Sequence, residues 1–383
     1  MQFDKPATTN PIDQLKVIGQ PIRRIDGQLK ATGRAMYAYE WHDPNLAYLY
    51  GYPVGSAIAK GRVKSIDTSA AKKADGVLAV VTTLDVGKFK KGKYNTANLF
   101  GGDEIQHYHQ AVAVVIAKTF EQARAAASLV KVGYAEDKGT FDLADAKDAA
   151  AKPKDANGSP PDTAVGDFQG AFRSAPVKLD ETYTTPDQSH SMMEPHASIA
   201  VWDGDELTVW TSSQMIDWWR TDLATTLGIE KDKVHLMSPF VVEVGVDVVT
   251  GETRIRRMLA VCAAGRILNP ITARSQVIGA MTMGAGGALS EELAVDTRHG
   301  FFVNHDLAGY EVPVHADIPH QEVIFMEETD PMSSPMKAKG VGELGLCGVS
   351  AAIANAIHNA TGMRVRHYPI TLDKLIGGLP EVA

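Results

Sequence analysis

The sequence predicts a mixed α+β fold in at least two units. Three observations carry that reading. Residues 21–145 alternate short β-rich runs with a helical signal. Residues 146–163, AKDAAAKPKDANGSPPDT, are polar with Pro, Gly and Ser, the composition of a linker. Beyond it, strand–turn–strand and helix patterns resume. The length, 383 residues, also exceeds what one ordinary core supports.

Residues 1–20 read as an irregular arm. GVLAVVT (76–82) and AVAVVIA (111–117) are strands, and TFEQARAAASLVKVGY (119–134) is an Ala-rich helix running into a strand. ASIAVWDGDELTVWTSS (197–213) predicts a hairpin turning at Asp203-Gly204. IDWWRTDLATTLGI (216–229) predicts a helix ending at Gly228, followed by a strand in VHLMSPF (234–240). VVEVGVDVVTGETRIRRMLAVCAAG (241–265) predicts a longer hairpin turning at Thr250-Gly251. Helices follow over 271–293, tolerant of glycine, and over 348–362, closed by Gly362.

Hydrophobic residues make up 44% and charged residues 22%, the balance of a soluble globular protein. A net charge of -8 without a Lys/Arg block argues against nucleic acid and anionic membrane as partners. No run of about 20 apolar residues is present, so no membrane insertion is expected. The first residues lack the apolar core of a signal peptide. Cys262 and Cys347 stand far apart, which argues against a disulfide framework, a zinc knuckle or an iron–sulfur cluster in this chain.

KAKGVGELGLCGVS (337–350) places one carboxylate, Glu343, among glycines and apolar residues. An acid there is costly without a partner or a task. GVGELG matches G-x-G-x-x-G, but DPMSSPMKAK precedes it where a dinucleotide fold needs a buried strand. Glycines leading into a helix N-terminus expose amides suited to an anion. A carboxylate capping that helix fits the same pattern, and both readings stand on the residues alone. HSMMEPH (190–196) fits no standard zinc spacing, HYHQ (107–110) reads as structural, and Met281 and Met283 read as core.

Several segments together resemble the molybdenum-binding subunit of the xanthine oxidase family, in particular the large subunit of bacterial aldehyde oxidoreductases. They are DGQLKATGRAMYAYE (26–40), TYTTPDQSHSMMEPHASIAVWDG (182–204), RRMLAVCAAGRILNP (256–270) and KGVGELGLCGVSAAIANAI (339–357). The resemblance implies a hammerhead-type α/β domain over 21–145 and a linker over 146–165. It implies the N-terminal part of a first molybdopterin-binding domain over 166–240 and the C-terminal part of a second over 241–383. It implies molybdenum–molybdopterin cytosine dinucleotide as cofactor, with no protein ligand to the metal. Glu343 falls on the family's general base, and burial among apolar groups would raise its proton affinity. Gln214 falls on a glutamine beside the metal's oxo ligand, and Gln276 on one contacting the pterin. A surface or capping glutamine and a polar residue on an amphipathic helix are the respective alternatives. The backbone N–H groups of Lys339, Gly340, Val341 and Gly342 would face the pterin or its pyrophosphate. Separate iron–sulfur and FAD-binding subunits are implied as partners, and an aldehyde as substrate. The implied compartment is the periplasm, by co-export with a signal-bearing partner, or the cytoplasm.

The chain also departs from this family. Members run to roughly twice its length, and the residues after 240 resemble a stretch from much later in the family's chain. The sequence reads as an in-frame internal deletion, or as two exon-like pieces joined into one chain, and either removes half of the pterin's wall. A non-catalytic relic or assembly module is the alternative function.

Overall fold

The computed structural model describes residues 5–95, 98–155, 160–192, 194–213, 215–237 and 255–376. The predicted arm contains a 3-10 turn, Pro11–Gln14, and leads to a short helix, α1 (Gly27–Ala31).

The first α/β unit follows. Its strands are β1 (Tyr50–Gly55), β2 (Gly61–Asp67), β3 (Val77–Thr82), β4 (Glu104–Ile105), β5 (Ala111–Ala117) and β6 (Lys131–Glu136). They form two antiparallel three-stranded sheets, ordered β1-β5-β3 and β4-β2-β6. β5 is the central strand of its sheet and reads AVAVVIA without polar alternation, as a strand covered on both faces should. Helices α2 (Ser69–Lys73) and α3 (Phe120–Ala127) cover that sheet. Thr119 Oγ1 accepts the Gln122 amide at 3.2 Å and so caps α3. Ala71, Val80, Val115, Ala126 and Ala127 form one core, and Ile58, Val63, Ile105 and Val112 another. The predicted linker holds the end of α4 (Leu143–Ala146), a short 3-10 turn and largely exposed irregular chain, followed by α5 (Phe168–Ser174).

The second unit is the predicted hairpin, β7 (Ser198–Asp203) and β8 (Glu206–Thr211), with α6 (Ile216–Leu227) crossing to β9 (Val234–Met237). β9 runs parallel to β8. Gly204 sits at φ +61° in the hairpin turn and Gly228 at φ +70° beyond α6, the left-handed conformations that both turns require.

The third unit pairs β10 (Met258–Cys262) in parallel with a strand the sequence reading did not assign. Between them lie α7 (Pro270–Leu289) and a small hairpin, β11 (Val295–Asp296) and β12 (Phe301–Phe302); the partner itself is β13 (Gln321–Phe325). Helices α8 (Val349–Thr361) and α9 (Asp373–Ile376) follow. The first arm of the predicted 241–265 hairpin lies outside the described residues. Asn269 Oδ1 accepts the amides of Ile271 and Thr272, and Pro270 opens α7. α7 and α8 meet closely: a Cβ on Gly284 would come 2.6 Å from Val349 Cβ. Val277, Met281, Ala285, Ile353 and Ile357 share this core. Met281 is 2% exposed, as expected, but Met283 is 61% exposed and is not core. Two positions along a helix turn by about 200°, so one methionine faces α8 and the other faces away.

Candidate active site

The Gly-rich turn starts from a short pairing. Ala338 bridges Gly265 antiparallel, and the Lys339 amide donates to Ala264 O at 3.0 Å. Gly265, at φ +62°, would bring a Cβ within 2.8 Å of Lys337 O, so the close approach requires glycine. Lys339 Nζ lies 2.8 Å from Glu328 Oε1, which also accepts the Gly265 amide at 2.8 Å. The hydrogen bond with Lys339 holds the Glu328 carboxyl below its ordinary range and raises the Lys339 ammonium above its own. The Lys339 side chain is therefore committed to this local ion pair and its amide to Ala264 O, which corrects the expectation that the Lys339 N–H faces a ligand: the open amides begin at Gly340.

After Lys339 the chain opens. Among the described residues, none accepts a hydrogen bond from the amides of Gly340, Val341, Gly342 or Glu343. Gly340 and Gly342 are exposed, and a Cβ on either would meet nothing within 4 Å. The chain then returns to the third unit. Leu344 packs against its core, and the Leu346 amide donates to Glu343 O at 3.0 Å. Gly345 is buried against α7, where a Cβ would come 2.4 Å from Val277 O. The return of the chain is thus seated on the buried side of α7 at Val277.

Glu343 itself is exposed. This corrects the expectation of an acid enclosed by apolar neighbours: Leu344 takes the inward position and Glu343 the outward one. The capping alternative is not realised either. α8 begins after Gly348, at φ +82°, and no side chain caps it. Gln276 is exposed on α7. Gln214 lies outside the described residues.

The other candidates are structural. Glu194 Oε1 accepts the Ala38 amide at 3.0 Å. His107 Nδ1 lies 2.9 Å from Tyr108 O. No group of three or more metal-ligating side chains gathers among the described residues. No helix among them is long and apolar enough to cross a membrane. Cys262 and Cys347 are both free, the first buried and the second exposed. The polar residues that hold the turn, Asp13, Arg266, Glu328 and Lys337, carried no sequence signal, because their partners lie up to 324 residues away.

Comparison with known proteins adds the following. The profile described as aldehyde oxidase and xanthine dehydrogenase, a/b hammerhead domain, matches residues 32–138. The profile described as molybdopterin cofactor-binding domain matches residues 178–319. The aldehyde oxidoreductase molybdenum-binding subunit PaoC of Escherichia coli (strain K12) is 36% identical over 736 aligned positions, covering 100% of each chain. Set against 383 residues here, that alignment leaves nearly half of its positions facing a gap. The aldehyde oxidoreductase of Megalodesulfovibrio gigas is 33% identical over 171 positions, 44% of this chain and 18% of that one. Among solved structures, the aldehyde oxidoreductase from Desulfovibrio desulfuricans superposes with a TM-score of 0.74 at 14% identity, covering 95% of this chain and 81% of that one. This last likeness is one of fold.

Proposed function

Because the chain belongs to the xanthine oxidase family, as a molybdenum-binding subunit of the aldehyde oxidoreductase type, we propose that it oxidises aldehydes to carboxylic acids with Glu343 as general base. The supporting observation is the open turn at 340–343, in a segment whose Gly345 is seated on α7 at Val277. Four successive amides without acceptors among the described residues, and two glycines with free space at Cβ, are a donor set that fits the phosphates and polar edge of a molybdopterin. The cytosine dinucleotide is the form we propose. The amides of Gly340, Val341 and Gly342 would hold it, and Gln276 and Gln214 would contact it through their side-chain amides. When bound, the molybdenum centre supplies the two-electron chemistry.

The chain's own contribution is to the proton. Oxidation of an aldehyde by a water-derived oxygen requires that oxygen to lose its proton as it attacks, and Glu343 would accept it. Its outward position, with Leu344 anchored in the core, sets the carboxylate on the open side of the turn. Separate iron–sulfur and FAD-binding subunits would carry the electrons away, since two distant cysteines provide no cluster site here.

The test is the variant Glu343→Gln, measured for molybdenum content, melting temperature and aldehyde turnover on one preparation. Metal loading and melting should hold while turnover falls by about 10²–10⁴, the worth of a positioned general base. Retained turnover would remove Glu343 from the mechanism.

One observation favours a second reading, a non-catalytic assembly module. Leu259, Val261 and Ile324 are exposed on the parallel pair β10–β13. Parallel sheets are ordinarily covered on both faces. Far less than one molybdenum per purified chain would establish this reading over the first.

A further inference from the structure

We propose that Asp13, on the N-terminal arm, is a positioning residue for the Gly340–Glu343 turn. This rests on the reading of that turn as the cofactor and base segment. Asp13 is shared by two cations that come from opposite sides of the turn's starting point. Lys337 Nζ lies 3.1 and 3.0 Å from its two carboxylate oxygens, and Arg266 Nη2 is hydrogen-bonded to Oδ1. The three side chains are only 20% (Asp13), 15% (Lys337) and 12% (Arg266) exposed, so water screens the set poorly. Without the carboxylate, two partly buried cations would face each other.

The backbone shows why this matters for the turn. Lys337 holds φ +61°, a conformation that non-glycine residues adopt only when their surroundings impose it. Its carbonyl accepts the Arg266 amide at 2.8 Å and the Asp330 amide at 3.1 Å. Two residues later the chain leaves the pairing with 264–265 and opens into Gly340. The orientation of Lys337 therefore sets the direction in which the turn departs.

The arm is built into this place rather than resting on it. Asp13 also accepts the Asn10 amide at 3.0 Å, and Asn10 Nδ2 donates to Pro335 O at 3.0 Å. The Ala7 amide donates to Pro331 O and the Gly19 amide to Leu268 O, each at 2.7 Å. The arm thus spans both segments that converge on the turn, 331–337 and 266–268, and Asp13 is its charged contact with both.

Hydrogen exchange on the full chain tests this, with Asp13→Asn and Asp13→Glu beside the parent. In Asp13→Asn, the amides of 337–339, which are hydrogen-bonded to Ser334 and Ala264 at the base of the turn, should exchange at least about tenfold faster, as expected when a charge-assisted tie to a locally opening segment is lost. Amides of α8 should keep the parent rate. Asp13→Glu, which retains the carboxylate, should return 337–339 toward the parent. Unchanged exchange at 337–339 in Asp13→Asn overturns the proposal. So does an equal rise in α8, because Asp13 would then act on the whole fold and not on the turn. If Asp13→Asn does not fold, Lys337→Met cuts the same tie from its other end and should give the same local pattern. Molybdenum content separates the two readings. A parent without molybdenum defeats the functional reading and leaves the exchange result intact, whereas a loaded parent with unchanged exchange in the variant defeats the positioning role alone.

Discussion

Gly345 and Val277 meet backbone to backbone: a Cβ on Gly345 would stand 2.4 Å from Val277 O and 2.9 Å from Val277 Cα. Neither atom is the end of a flexible side chain. The turn that carries Glu343 is thereby seated on α7 at Val277.

Gly345→Ala should therefore displace the turn. The expected cost is about 1–3 kcal/mol, as for overpacking at a closed contact. Gly342→Ala, with open space at its Cβ, should cost far less. Melting temperatures of the two variants check this. Equal losses would mean that the seat on α7 is not what holds the turn.

The two methionines of α7 should separate in the same way. Met281→Ala removes a side chain from the core shared with α8 and should cost about 2–5 kcal/mol. Met283→Ala, at an exposed position, should stay within about 0.5 kcal/mol of the parent. Urea midpoints at constant m-value decide it.

Glu291 gives a pH prediction. Burial pushes its carboxyl above the ordinary range, and the 2.8 Å hydrogen bond donated by Tyr310 opposes this only in part. The folded chain then binds the proton more tightly than the unfolded chain. Stability contributed by this group is present below the ordinary glutamate value of about 4.3 and is lost as pH rises through the raised value. Glu291→Gln should therefore compare more favourably with the parent at pH 7 than at pH 4.5. An unchanged difference between the two pH values would show that Glu291 does not carry this linkage.

Domain boundaries at 21–145, 146–165, 166–240 and 241–383 are our proposal for the chain's organisation. Limited proteolysis should cut first within 146–163 and leave a fragment covering 21–145, because an exposed polar linker lacks packed backbone. Early cleavage within 76–134 would move the first boundary.

Much of the fold was legible locally. AVAVVIA marked β5 because a central strand, covered on both faces, needs no polar alternation. Gly204, Gly228 and Gly362 marked turns and helix ends because positive φ favours glycine. The start of α7 was not marked: the sequence pattern opens the helix at 271, and the structure shows Asn269 capping it with Pro270 as the first residue. KGVGELG singled out the candidate site because a carboxylate among glycines is out of place in ordinary packing.

Tertiary contacts decided the rest. QEVIF is too short to distinguish as a strand, and pairing with β10 makes it β13. Periodicity alone could not say which methionine of α7 faces α8. The environment of Glu343 depends on whether neighbouring chain covers it, and in this structure it is exposed while Leu344 turns inward. The tie from Asp13 to Lys337 crosses 324 residues of sequence, so no local pattern announces it. Propensity and turn chemistry act over a few residues, whereas burial and ion pairing depend on segments that only the folded chain brings together.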